Sequence, residues 1–109
     1  MANPRIENLL ALLERRPDDP RLRFGLALEY EKLGRWEEVV EHLEHYLEHA
    51  DDEGNAWGRL GGALRRLGRH DQARAAYRAG IRASNRYGHP TMAEEFEEVL
   101  AEWDEQNGQ

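Results

Sequence analysis

Cysteine is absent, lysine occurs once, at Lys32, and the only hydroxyl side chains besides tyrosine are Ser84 and Thr91. The first absence excludes disulfides and thiolate metal sites, and suits a reducing compartment. The scarcity of hydroxyls leaves almost no candidate nucleophile, and Ser84 and Thr91 both fall at predicted helix ends, where capping accounts for them. Carboxylates abound on what read as solvated faces, with no sign that two converge, so no enzyme is expected. β-branched residues are few, which disfavours a sheet. No run approaches the roughly eighteen apolar residues of a membrane span. The opening MANPRIEN lacks an apolar run behind a basic one. The expectation is a soluble, cytoplasmic protein without membrane contact.

The 109 residues are instead rich in Leu, Ala, Glu and Arg, with 39% hydrophobic and 34% charged side chains. That composition points to a single all-α domain spanning 1–109. Its net charge of -7 is unevenly spread: residues 1–19 carry -1, 20–53 carry -6, 54–87 carry +7 and 88–109 carry -7. A basic block thus stands between acidic ones, and nearly all of the chain's positive charge is arginine, whose planar fork favours fixed carboxylate pairing.

A shift of 34 residues lays Leu26 on Leu60, Leu33-Gly34-Arg35 on Leu67-Gly68-Arg69, and Leu47 on Ile81. Shifted backwards, Ile6 falls on Val40 and Leu13-Glu14 on Leu47-Glu48, so the first helix repeats the second half of the repeat. Asn3-Pro4 and Asp19-Pro20 are N-cap and first-turn pairs. Ile6, Leu9, Leu10 and Leu13 form one apolar stripe, and Leu22, Leu26, Tyr30 and Leu33 another, closed by Gly34. Further helices are predicted over about 36–49, 55–67 and 71–83. A sixth starts at Thr91 with a capping box completed by Glu94. Short connections make consecutive helices antiparallel.

Residues 54–87 carry Trp57, Leu60, Gly61, Leu64, Ala73, Tyr77 and Gly80 at spacings that resemble the tetratricopeptide repeat. The preceding repeat is looser, with Arg23 where the family has Trp, but Leu26, Tyr30, Gly34 and Leu47 match. The resemblance implies helical hairpins stacked as a short right-handed α-solenoid: a half repeat over 4–16, repeats over 20–53 and 54–87, and a capping helix over 90–106. Strict continuation would bury Glu94, Glu95 and Glu98, which is too costly, so the last helix must be rotated or displaced.

The resemblance further implies a concave groove for a protein or peptide partner, lined by Phe24, Leu28 and Lys32 on one repeat and by Gly58, Arg59, Gly62, Arg65 and Arg66 on the next. Its basic half favours acidic groups on the partner. Chaperone-tail clamps are not matched, since only Arg59 fits theirs. The alternative is a structural homo-oligomer, a homodimer for instance, whose groove is filled by its own last helix; Met92, Phe96, Val99, Leu100 and Trp103 form that helix's apolar stripe and would serve self-association or capping. Nucleic acid is disfavoured by the flanking acidic blocks. His42, His45 and His49 share a helical face, but exposed histidines there read as solvated. No metal or cofactor is expected.

Three helical glycines remain to be explained. Gly58, Gly61 and Gly62 each cost about 1 kcal/mol relative to alanine in a helix. Gly61 falls at the family's small packing position, whereas Gly58 and Gly62 fall on the groove face.

Overall fold

The computed structural model describes residues 3–107. Among them are six helices and no strand: α1 (Pro4–Arg15), α2 (Pro20–Lys32), α3 (Trp36–His49), α4 (Asn55–Arg66), α5 (His70–Arg86) and α6 (Pro90–Asn107). None is long and apolar enough to cross a membrane. The chain packs as two compact units, Met1–Asp51 and Asp52–Gln109, each with its own core.

In the N-terminal unit, α1 begins where the Asn3 side chain accepts from the Ile6 amide at 3.1 Å, and α2 where Asp19 accepts from the Arg21 amide at 2.9 Å. These bonds satisfy amides that the first turn leaves without partners. Gly34 then ends α2 with φ 70°, which glycine adopts without a Cβ penalty. The Arg35 amide reaches back to the Tyr30 carbonyl at 3.0 Å. The chain reverses, and α3 returns along α2. Ile6, Leu22, Leu26, Ala27, Val39, Val40 and Leu43 form the core.

Two positions differ from the sequence reading. Leu33, placed inward by its spacing, is 53% exposed. It is the residue on which α2 closes, and the turn into Gly34 carries its side chain past the core. Leu10 is also exposed, leaving Ile6 as the buried anchor of α1.

The C-terminal unit repeats the device. Gly68, with φ 77°, follows α4, and the Arg69 amide donates to the Leu64 carbonyl at 2.9 Å. A third copy follows α5, where Gly88 has φ 78° and the His89 amide donates to the Ser84 carbonyl at 2.7 Å. Because Asn85 stands where the family carries proline, nothing stops α5 short, and it runs to Arg86, beyond the predicted end. Helix α6 starts at Pro90, so Thr91 lies inside it rather than capping it; the Ala93 amide already donates to the His89 carbonyl at 3.2 Å. Ala93 and Trp103 are buried, whereas Glu94, Glu95 and Glu98 are exposed. The register thereby avoids putting carboxylates in the core.

Candidate functional site

The α4 face that carries three glycines is built by what each one meets. A Cβ on Gly61 would stand 2.8 Å from ring carbons of Tyr77 on α5, so the small residue lets the two helices close. A Cβ on Gly58 would stand 2.6 Å from the ring of Phe96 on α6. That ring also lies against Gly80 of α5 and 5.8 Å from the Tyr77 ring centroid. Two of the three glycines are thus required by packing inside the C-terminal unit. Gly62 is different: a Cβ there would meet only the Tyr77 hydroxyl, at an ordinary 3.7 Å.

The rest of the α6 stripe also meets its own chain. Trp103 is 2% exposed, with the guanidinium carbons of Arg65 and Arg74 each 4.4 Å from its ring centroid and His70 edge-on at 5.2 Å. Arg74 extends the contact to Asp104 at 3.4 Å. Met92 lies where a Cβ on Gly54 would approach its sulfur to 2.8 Å, and Val99 and Leu100 are half-buried.

Residues 54–87 match the family profile of the tetratricopeptide repeat. They are a tetratricopeptide repeat. No curated protein matches the chain. Tetratricopeptide repeats generally mediate protein–protein interaction and are typically non-enzymatic.

Within the matched repeat, Arg59 is half-buried and Arg66 exposed. The Tyr77 phenol is pushed above its ordinary value by burial, and the nearby charges of Arg65 and Arg66 pull it the other way. These two arginines and the Tyr77 hydroxyl therefore stand close to the bare backbone at Gly62. Arg65 is also engaged by Trp103, which sequence spacing alone did not indicate.

On α2, Phe24 packs on Tyr46 with ring centroids 5.0 Å apart, and Leu28 is half-buried. The Lys32 ammonium donates to Glu29 at 3.2 Å. Glu29 is 8% exposed and also receives Arg5 of α1 at 2.8 Å, so Lys32 serves a buried carboxylate as well as the outer face. Lys32 shares this carboxylate with Arg5, which makes it a structural residue in part.

Arg23 donates to the Pro17 carbonyl through Nε at 3.3 Å and Nη2 at 3.2 Å, and its Nη1 lies 3.2 Å from His42 Nδ1. The guanidinium can only donate, so His42 Nδ1 accepts and the imidazole is neutral. Burial pushes its pKa below the ordinary 6.5; Arg23 and His45 add to that, and Glu41 and Glu38 oppose it. Its ring stacks on Tyr30 at 5.6 Å. The unfolded chain accepts a proton at His42 more readily than the folded one, so this contribution is full above the unfolded value and is lost as pH falls through the folded value. Urea unfolding at about pH 7.5 and about 5.5 should show the N-terminal unit weakening at the lower pH, and His42→Gln should flatten that dependence. An equal pH dependence in His42→Gln would refute the assignment.

Proposed function

We propose that the chain is a protein-interaction module that takes an acidic partner segment along the face of α4 marked by Gly62 and Arg66. The observation that carries the reading is Gly62. Its packing neighbours would tolerate a side chain, yet the helix forgoes about 1 kcal/mol of propensity to keep the backbone bare. Bare backbone beside arginine allows a partner's main chain to approach closely while its carboxylates take charge-assisted hydrogen bonds. The +7 balance of residues 54–87 favours acidic ligands over others. Arg59 and Arg65 would flank the segment. Because Met92, Phe96 and Trp103 contact their own chain, the proposal makes α6 a cap that closes the strip at Gly58, rather than a helix that recruits a second copy.

Selection of a displayed random-peptide library on the purified protein tests this. Acidic peptides should be enriched, and Arg66→Glu should weaken them about tenfold or more, the scale of one lost charge-assisted hydrogen bond. Gly62→Ala should stabilise the fold by about 1 kcal/mol in urea unfolding, whereas Gly62→Leu should keep the helical content and lose the peptides. Destabilisation by Gly62→Ala, or selected peptides indifferent to both Arg66→Glu and Gly62→Leu, would overturn the reading.

A further inference from the structure

We infer that the N-terminal unit holds a divalent transition-metal site of the zinc class, built from Asp18 in the α1–α2 connection and from His45 and His49 near the end of α3. One donor atom from each lies within 4.8 Å of the other two. The argument rests on which ring nitrogen faces what. His49 Nδ1 lies 2.9 Å from the His45 carbonyl oxygen. A carbonyl oxygen only accepts, so Nδ1 carries the hydrogen and, in the neutral ring, Nε2 carries the lone pair. That lone pair faces Asp18 Oδ1 at 3.6 Å. Two acceptors set against each other at this distance favour a cation between them.

A proton is one such cation, but 3.6 Å is too long for a good hydrogen bond. A tetrahedral zinc ion with ligand bonds of about 2.0–2.2 Å separates its donors by about 3.4 Å, close to the observed spacing. His45 supplies the third donor. Its ring stacks on that of His49, with centroids 5.7 Å apart and planes 10° from parallel. Its Nδ1 is buried with no hydrogen-bond partner, so it too has an unmet demand for a proton acceptor or a metal. The carbonyl bond that fixes His49 is the kind of outer contact that orients metal-bound imidazoles. Asp18 is exposed and can rotate to close the remaining distance. Two imidazoles and one carboxylate suit zinc, nickel or copper rather than magnesium or calcium, and leave a coordination position for water.

Such an ion would clamp the end of α3 to the α1–α2 connection, and binding to the folded state alone would raise its melting temperature. The test is titration of the untagged, chelator-stripped protein with zinc against a chromogenic chelator, together with imidazole nitrogen NMR. Zinc should bind one to one, raise the melting temperature, and shift the ring nitrogens of His45 and His49 but not those of His70 and His89. His49→Ala and Asp18→Asn, both at exposed positions, should each weaken binding more than tenfold, and His89→Ala should leave it unchanged. No binding, equal binding of magnesium, or zinc affinity unaltered in both His49→Ala and Asp18→Asn would overturn the assignment.

Discussion

Trp103→Ala is expected to destabilise the C-terminal unit by about 3–5 kcal/mol, the usual range for deleting a large buried aromatic, and to release α6 from α4 and α5. Trp103 is 2% exposed near the end of a helix whose other large contact is Phe96. Its loss removes apolar burial and also the surface on which Arg65 and Arg74 rest at 4.4 Å. Cation–π contacts of this kind contribute about 0.5–2 kcal/mol each, more when desolvated. With the ring gone, both guanidiniums lose the surface they rest on, although Asp104 remains beside Arg74. Limited proteolysis should then cut in the exposed Tyr87–His89 connection, and circular dichroism should lose part of the α6 helix signal. Trp103→Phe retains an aromatic face and should recover most of the stability. If Trp103→Ala costs less than about 1 kcal/mol, the last helix is held by something other than this residue.

The same variant separates two roles of α4. Release of α6 would uncover Gly58, now closed by Phe96, without touching Gly62. Acidic peptides that bind at Gly62 and Arg66 should therefore persist in Trp103→Ala below its melting temperature. A partner that competes with Phe96 would instead bind more tightly. Charge makes this stretch basic, but only the packing of α6 distinguishes Gly58, which Phe96 covers, from Gly62, which it does not.

That division explains what could and could not be read from residues alone. The hairpins were legible because their signals are local: Asn3 and Asp19 cap within three residues, and Gly34 and Gly68 reverse the chain at the same point of a 34-residue period. The match of residues 54–87 to the tetratricopeptide repeat rests on the same local sizes and spacings. Gly58 and Gly62 looked alike for the same reason, since their difference is set by Phe96, a residue far along the chain. The exposure of Leu33 depends on how the turn leaves the helix, which periodicity does not encode. Arg23 read as a departure from the family, yet its guanidinium ties Pro17 to His42. A half-buried arginine satisfied by a carbonyl and an imidazole leaves no spacing signature. The three donors at Asp18, His45 and His49 come from two elements, and only the paired histidines had a helical spacing to reveal them.

Gly54→Ala should be the most damaging single-methyl change in the C-terminal unit, costing about 3 kcal/mol or more, from two separable causes. Gly54 precedes α4 with φ 133° and ψ -30°, a region closed to L side chains, and holding a non-glycine residue in such a conformation costs about 1–3 kcal/mol. The added Cβ would also overlap the hydroxyl of Ser84, which is fully buried and donates to the Gly80 carbonyl at 2.7 Å, and would crowd the Met92 sulfur. Overpacking of that kind adds about 1–3 kcal/mol. The backbone cannot relax freely, because the Asp52 carboxylate accepts from the Gly54 amide at 2.8 Å and the Ala56 amide at 2.9 Å, capping α4 in place of the side chain that Gly54 lacks. A double-mutant cycle with Ser84→Ala separates the causes. Removing the hydroxyl should recover the part of the steric cost that Ser84 sets and leave the strain and the Met92 contact, so Gly54→Ala should cost less in the Ser84→Ala background than in the wild type. Additive losses would exclude the Ser84 overlap and place the cost in the backbone and the Met92 contact. Since Gly54 fixes where α4 starts against α5 and α6, the same strain that makes the position intolerant also orients the face on which Gly62 and Arg66 stand.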